Sequence, residues 1–215
     1  MHWNFYLSGI LYGKFYVKDN DIFVEKLDAA KGIWYPKETF TEESDDFFKK
    51  LCSRSLLDFF KNKKEYEEKI SEGADEFTAS SGETFSNRRN EVYFQRQKKF
   101  PKDLFYDEDG IYAVLMSGRD FAAVLVKNGE EDRTILSRWK KAFPEPPAAV
   151  NFLGTFFVDT RDGEKLATDV YLPKGEAYKE QKVPSVLIRT PYGKGERPEQ
   201  YYRFVQRGYA VVIQD

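Results

Sequence analysis

Two short apolar runs near residue 200 constrain the fold more than any other feature of the sequence. Val186-Leu187-Ile188 and Ala210–Ile213 are apolar at every position, which is typical of strands covered on both faces. Between them, residues 201–205 have the spacing of a buried helix face, Pro198 suits its first turn and Gly208 suits its C-terminal end. The pattern predicts a βαβ unit, with two parallel strands joined by a right-handed crossover.

The residues just before this unit predict an antiparallel hairpin. Thr155–Asp159 is strand-like, Arg161-Asp162-Gly163 is a turn signal, and Lys165–Leu172 alternates along a second strand. In sheets that contain parallel strands, reactive groups gather at the carboxyl ends of those strands. Arg189-Thr190-Pro191-Tyr192 follows one such end, so the sequence predicts a functional site there.

Residues 1–143 predict a separate α+β domain. An N-terminal hairpin is expected from the apolar runs Phe5–Tyr16 and Asp21–Leu27, which Asp19-Asn20-Asp21 separates. One helix is expected over residues 44–70, capped by Ser44, with Phe48, Cys52, Leu56, Phe59 and Phe60 on its buried stripe. Residues 71–90 are expected to form a loop, and strands are expected at Glu91–Gln95, Ile111–Met116 and Phe121–Lys127.

A proline-rich segment separates the two patterns. Pro144, Pro146 and Pro147 fall within four residues, and proline stiffens the chain and removes backbone donors. The predicted organisation is therefore an N-terminal α+β domain at 1–143, a linker at 144–150 and a second domain at 151–215.

Composition excludes several classes of protein. The chain has 34 basic and 36 acidic residues and a net charge of −2, without the basic excess of nucleic-acid binders. No apolar stretch reaches the roughly 18 residues of a transmembrane helix, and Met1–Tyr6 lacks the pattern of a signal peptide. A single cysteine, Cys52, forms no intrachain disulfide and offers no zinc cluster. We expect a cytoplasmic protein with neither nucleic-acid nor membrane partners and with no metal or cofactor.

Several residues that invite a catalytic or metal-binding interpretation have simpler explanations. His2 is the only histidine and lies at the N-terminus, where chains tend to fray. Cys52 falls on the predicted helix stripe and is expected to be a buried hydrophobic residue. Ser117 lacks the glycine that precedes a nucleophile elbow. Asp107-x-Asp109-Gly110 lacks the later glutamate of a calcium loop, so it predicts a turn.

Three blocks of sequence resemble the opening of the CocE/NonD hydrolases, which belong with the X-Pro dipeptidyl-peptidases and cocaine esterase. The blocks are Arg161-Asp162-Gly163-x-x-Leu166-x-x-Asp169-x-Tyr171-x-Pro173, then Arg189–Lys194, then Arg207–Val212 with Gln214-Asp215. The resemblance covers about residues 152–215. It implies the first strands, a hairpin plus a βαβ unit, of an incomplete α/β-hydrolase sheet, from a family that cleaves esters or amides through a Ser-Asp-His triad.

The resemblance also implies a role for Tyr192. In this family the tyrosine of the Pro-Tyr pair contributes its hydroxyl to the oxyanion hole, where a fixed donor stabilises the charge of the tetrahedral intermediate. The alternative is an interfacial tyrosine in a Pro-Tyr-Gly turn. The family's counterpart of Asp215 shapes a loop near the site, and no catalytic role is expected for Asp215 here.

The sequence departs from the family because it contains no Gly-x-Ser-x-Gly elbow and no histidine besides His2. We expect the N-terminal portion of a serine hydrolase, truncated before the elbow and inactive alone, whose small acyl or peptide substrate binds only in the complete enzyme. The alternative is a non-catalytic interaction module that retains part of a hydrolase fold.

A complementary chain or self-association is also expected. The strand Ala210–Ile213 is predicted to have a free edge, and such edges recruit further strands. Removing residues 209–215 would then relieve association.

Limited proteolysis tests the predicted boundary. The chain is expected to be cut near residues 144–147 and to leave a stable N-terminal fragment, because few contacts cross an extended linker. The fragments are identified by mass spectrometry. One cooperative unit without such a cut would count against two domains.

Overall fold

The computed structural model describes residues 1–19, 21–89, 91–95, 99–119, 121–140, 147–180, 182–194 and 198–215. The chain divides into two compact units, the first made of Met1–Lys26 and Pro36–Lys141, the second of Leu27–Tyr35 and Ala142–Asp215. Leu27–Tyr35 therefore lies in the second unit, which the sequence patterns did not indicate. Within the described ranges, no helix is long and apolar enough to cross a membrane.

The first unit is an antiparallel sheet with two longer helices. The elements before residue 141 are β1 (His2–Leu7), β2 (Ile10–Lys18), β3 (Asp21–Asp28), β4 (Ile33–Trp34), β5 (Glu38–Thr39), α1 (Glu42–Cys52), α2 (Leu56–Ser71), β6 (Glu76–Thr78), β7 (Thr84–Arg89), β8 (Val92–Gln95), β9 (Lys102–Asp107), β10 (Gly110–Ser117), β11 (Ala122–Lys127) and α3 (Leu136–Lys140). Of these elements, β4 falls in the second unit. In the first unit the strand order is β3-β2-β1-β11-β10-β9-β8-β7-β6, with β5 also paired to β3.

Aromatic side chains form the core between this sheet and the helices. Trp3 of β1 contacts the ring of Phe59 of α2 edge-on, and Phe5 contacts Phe48 of α1 in the same way. Farther along α2, Tyr66 contacts Phe85 of β7. All six side chains are buried almost completely, and burying rings of this size supplies much of the hydrophobic stabilisation of a small domain.

The prediction of one helix over residues 44–70 is wrong, because the chain breaks between α1 and α2. Ser53 adopts the left-handed conformation that ends α1, and Ser55 caps α2. The cap of α1 is Thr41 rather than Ser44. Ser44 occupies the third helical position and completes a capping box with Thr41.

Other differences in the first unit involve short strands. Residues 71–90, expected to be a loop, contain β6 and β7, where Phe77 faces Phe85 across the pair and both rings are buried. The sequence did not indicate β9, and the run Phe5–Tyr16 holds a turn at Ser8-Gly9 that separates β1 from β2. The expected β2–β3 pairing is confirmed, although Asn20 of its turn lies outside the described residues.

The second unit contains a four-stranded sheet. Its elements are β12 (Ala149–Asp159), β13 (Lys165–Lys174), β14 (Ser185–Arg189), α4 (Glu199–Val205) and β15 (Ala210–Gln214), and the strand order is β12-β13-β15-β14. The predicted β12–β13 hairpin and the predicted parallel pairing of β14 with β15 are confirmed. One face of the sheet packs with α4 in a core that includes Tyr171, Val205, Val211 and Ile213.

The expected linker at 144–150 overlaps this sheet. Residues 144–146 lie outside the described residues, and β12 begins at Ala149. The backbone N–H of Val150 donates to the carbonyl oxygen of Ala29 at 3.1 Å, so the start of β12 is hydrogen-bonded to the Leu27–Tyr35 segment of the same unit.

Two expectations about the edges of this sheet are wrong. The strand β15 is paired on both sides, because β13 folds back against it through Thr168–Tyr171 while β14 pairs on the other side. Val186–Ile188 was expected to be covered on both faces. It lies instead in β14 at the end of the strand order, with the Leu187 side chain 55% exposed.

Asp45 joins the two helices of the first unit, and its removal tests this junction. Its buried carboxylate accepts hydrogen bonds from the backbone of Leu56 and Leu57, at 2.9 and 3.2 Å, and from Ser55 Oγ at 2.6 Å. Asp45→Ala is expected to lower the free energy of unfolding in urea by about 3 kcal/mol, because these buried donors lose a charged acceptor.

The neighbouring residue provides the matched control. The Asp46 side chain is 64% exposed and pairs only with Lys49 among the ion pairs of the described chain. Asp46→Ala is expected to change the free energy of unfolding by less than about 0.5 kcal/mol. Equal losses in the two variants would contradict the assigned role of Asp45.

Candidate functional site

The parallel pairing of β14 and β15 places their carboxyl ends side by side. Ile188 is opposite Ile213 and Arg189 is opposite Gln214. The pairing continues one residue further, because the Thr190 N–H donates to the carbonyl oxygen of Gln214 at 3.1 Å. The segment that follows β14 therefore begins beside the end of β15.

This segment, residues 190–194, is called the site turn below. The Tyr192 N–H donates to Thr190 Oγ1 at 3.2 Å, and the Lys194 N–H donates to Asp215 Oδ2 at 2.7 Å. Gly193 has a φ of +81°, a conformation that side chains other than glycine rarely adopt. Glycine is thus required where the chain reverses toward Asp215.

A charged cluster anchors the end of the site turn. Lys194 Nζ lies 3.0 Å from Asp169 Oδ1 of β13 and 3.9 Å from Asp215 Oδ1. Thr155 of β12 donates from Oγ1 to Asp169 Oδ1 at 2.6 Å. The cluster joins β12 and β13 to the segments that follow β14 and β15. The three charged side chains are mostly shielded from solvent, so removing one charge leaves another poorly compensated.

Among the described residues, Tyr192 is held through its backbone N–H and makes no side-chain hydrogen bond. Its side chain is 93% exposed, although both neighbouring anchors, Thr190 and Lys194, are hydrogen-bonded to residues at the end of β15. The phenol is therefore a hydrogen-bond donor at the carboxyl edge of the sheet. Its oxyanion role remains a prediction.

The second unit offers no serine–histidine pair. Its segments contain no histidine, and their single serine is Ser185. Ser185 begins β14 and thus lies at the opposite end of that strand from Thr190. A Ser-His-Asp mechanism requires a nucleophile next to an oriented base, and this unit does not bring such groups together.

The other residues considered from the sequence lie in the first unit. Cys52 is buried, which confirms the predicted buried residue, and burial raises the pKa of its thiol to about 12. His2 stacks on Tyr16, and burial lowers its pKa. Ser117 ends β10. The Asp109 N–H donates to Asp107 Oδ1 at 2.9 Å, which confirms the predicted turn.

Sequence reasoning did not identify Lys194 and Asp169 as partners. In the sequence, Lys194 belongs to the block Arg189–Lys194, and Asp169 is one position on the alternating strand Lys165–Leu172. Their contact depends on the order β13-β15-β14, which brings together one residue that precedes β14 in the sequence and one that follows it. Both residues occur in sequence blocks that resemble the same family, and this was the signal that could have linked them.

A buried ion pair in the first unit was also missed. Lys102 Nζ lies 2.7 Å from Glu83 Oε2, and the same carboxylate accepts from Tyr66 at 2.6 Å and from Gln95 at 2.9 Å. Burial lowers the pKa of Lys102. Burial would raise the pKa of Glu83, but the charge of Lys102 and the hydrogen bonds keep it below its usual value. Because each group has a partner within the protein, we assign this cluster to stability.

Comparison with known proteins bears on the second unit. A family model described as X-Pro dipeptidyl-peptidase (S15 family) matches residues 162–215. The match begins in the β12–β13 turn and includes β13, β14, α4, β15 and the site turn. This stretch, about a quarter of the chain, is therefore similar to a family of hydrolases. The search of curated proteins found no match to the chain.

Amide hydrogen exchange tests the anchoring of the site turn. In Asp215→Ala, the Lys194 amide is expected to exchange at least about tenfold faster, because it loses a charged acceptor. Asp162→Ala is the matched control, since Asp162 is an exposed aspartate whose carboxylate bonds Thr160 within its own turn. An unchanged rate at Lys194 in Asp215→Ala would show that this hydrogen bond does not hold the turn.

Proposed function

We propose that residues 151–215 are the N-terminal portion of a CocE/NonD-type serine hydrolase domain, which cleaves ester or amide bonds, X-Pro peptide bonds included. Tyr192 donates a hydrogen bond to the oxyanion. The chain has no activity alone, because the nucleophile and the catalytic histidine come from elsewhere. A small acyl or peptide substrate binds only when those parts are present, and the protein acts in the cytoplasm.

The site turn is the observation that carries this proposal. Tyr192 lies at the carboxyl end of β14, where reactive groups of parallel strands gather. Its backbone is fixed on one side by Thr190 and on the other by the hydrogen bond from Lys194 to Asp215. The fixed backbone sets the region that the phenol can reach, and a donor already in place stabilises developing charge without reorganising during the reaction.

The family match supports the same assignment from the sequence. It covers residues 162–215, which include the site turn and each charged residue that anchors it. The α/β-hydrolase interpretation of the sheet is consistent with one parallel pair at the end of a mixed sheet. In this proposal, further parallel strands add beside β14, which is the last strand in the order of this sheet.

An exposed phenol stabilises an oxyanion poorly, because water competes for it. A donor is worth much more in a site that excludes water. The proposal therefore requires that the polypeptide supplying the nucleophile also covers Tyr192. This requirement explains why a side chain with a proposed catalytic role is 93% exposed here.

The isolated chain provides the first test. It is expected neither to hydrolyse p-nitrophenyl esters nor to react with a fluorophosphonate probe, because both reactions need a serine activated by a base. The readouts are absorbance of the released phenolate and protein mass. Stoichiometric labelling that disappears in Ser117→Ala would contradict the proposal.

The role of Tyr192 is tested after complementation. The chain is produced together with the sequence encoded downstream of residue 215, provided that this sequence contains a Gly-x-Ser-x-Gly elbow and a later histidine. In the resulting hydrolase, Tyr192→Phe is expected to lower kcat about 10²–10³-fold and to change KM by less than about twofold, because the donor acts in the transition state. The control is Tyr209→Phe, which should leave kcat unchanged. Tyr209 is an exposed tyrosine just before the amino end of β15, the end away from the site turn.

One observation favours a second candidate function. Apolar side chains are exposed along β12, among them Phe152, Phe156 and Phe157, as in proteins that bind partners through a surface patch. A non-catalytic interaction module would retain this surface without needing an elbow. Downstream sequence that lacks both the elbow and a histidine would favour this function over hydrolysis.

A further inference from the structure

The strand β12 has an unusual surface for the outermost strand of a sheet. From Ala149 to Val158 it carries no charged residue, and Phe156, Phe157 and Val158 are 51%, 67% and 44% exposed. Edge strands in soluble proteins usually carry charges, prolines or covering segments that prevent pairing. Beyond the bond from Val150 to Ala29, the described part of the chain supplies no backbone hydrogen bonds to the outer side of residues 152–158.

Both faces of this strand are apolar. Phe157 is opposite Ala167 and therefore shares a face with Asp169 and Tyr171, the face that packs with α4. Phe156 and Val158 point to the other face. The register with β13 shifts between Phe152 and Gly154, and Gly154 has a φ of +123°. From residue 154 to residue 158 the register is regular, and no described strand pairs with the outer edge of this segment.

We propose that residues 154–158 of β12 form an interface between two copies of this chain, in which the strands pair antiparallel about a two-fold axis at Phe156. In this register Gly154 is opposite Val158 of the second copy, Thr155 is opposite Phe157, and Phe156 is opposite itself. Aromatic pairs, such as Phe156 with its own copy, and pairs of an aromatic with a β-branched side chain, such as Phe157 with Thr155, stabilise neighbouring strands. Each copy contributes the same segment, as a two-fold interface requires.

The distribution of charge favours a second copy in this orientation. Asp159 is the first charged residue after the uncharged run. Antiparallel pairing places Asp159 opposite Leu153 of the second copy, so no like charges meet. Parallel pairing in register would place the two Asp159 carboxylates side by side, which is destabilising. A basic or acidic partner finds no complementary charge along residues 149–158.

This interface does not depend on the proposed hydrolase activity. It uses the outer edge of β12, whereas the site turn follows β14 at the opposite end of the strand order. It also replaces β15 as the source of association, because both sides of β15 are already paired.

Sedimentation velocity tests the interface on the full chain. At about 50 µM, in the concentration range where exposed edges associate, the 25.2 kDa chain is expected to sediment as a dimer. Phe157→Lys is expected to raise the dissociation constant at least about tenfold, because it places an ammonium without a counter-charge in an apolar interface, opposite Thr155 of the second copy. Leu187→Lys, which adds the same charge to another exposed apolar position, on β14, should leave the dimer unchanged.

Several results would overturn the proposal. They are a monomeric wild-type chain, higher oligomers in place of a closed dimer, and dissociation by Leu187→Lys but not by Phe157→Lys. Circular dichroism establishes that both variants remain folded.

Cross-linking tests the register even if Phe157→Lys does not fold. Phe156→Cys is expected to form a disulfide-linked dimer on mild oxidation, because Phe156 faces its own copy across the axis. Leu187→Cys is expected to stay monomeric under denaturing, non-reducing electrophoresis. The native Cys52 is buried and contributes little background. Equal cross-linking of the two variants would contradict the assigned interface.

Discussion

Parallel pairing of β14 with β15 is the interaction on which the candidate site depends. It joins residues 185–189 to residues 210–214 in register, so the site turn starts next to Asp215. If β14 and β15 were antiparallel, the site turn and Asp215 would lie at opposite ends of this strand pair. The bond from Lys194 to Asp215, the ion pair of Lys194 with Asp169 and the exposed position of Tyr192 all follow from this arrangement.

The parts of the fold that follow from local patterns were predictable. The apolar runs, the proline before α4 and the glycine after it were sufficient to predict the βαβ unit. Strand order was not predictable. It depends on which strand pairs with β15 on the side away from β14, and no local signal in the sequence specifies β13 as that strand. The break at Ser53 was hidden because the apolar stripe continues from α1 into α2. For the site, the sequence indicated the turn and Tyr192 but not the contact of Lys194 with Asp169, which tertiary structure alone creates.

The sheet of the second unit has two edge strands, β12 and β14, which differ in the direction of the strand paired with each. Leu187 is exposed on β14, beside the parallel pair, where the proposed hydrolase would add strands. Phe156 and Phe157 are exposed on β12, beside an antiparallel pair, where we propose that a second copy binds. Because β12 and β14 lie at opposite ends of the strand order, occupation of one edge leaves the hydrogen-bonding groups of the other available. Catalytic completion and self-association are therefore compatible.

The pairing of β14 with β15 is also the most direct point at which to test this account. Nuclear Overhauser contacts between backbone protons of a labelled chain report strand direction and register. The account predicts contacts of Val186 with Val211 and of Ile188 with Ile213, in the pattern of parallel strands, together with a protected Thr190 amide. Antiparallel contacts between these strands, or pairing of β14 with β13, would contradict it, because the site turn would then no longer lie beside Asp215.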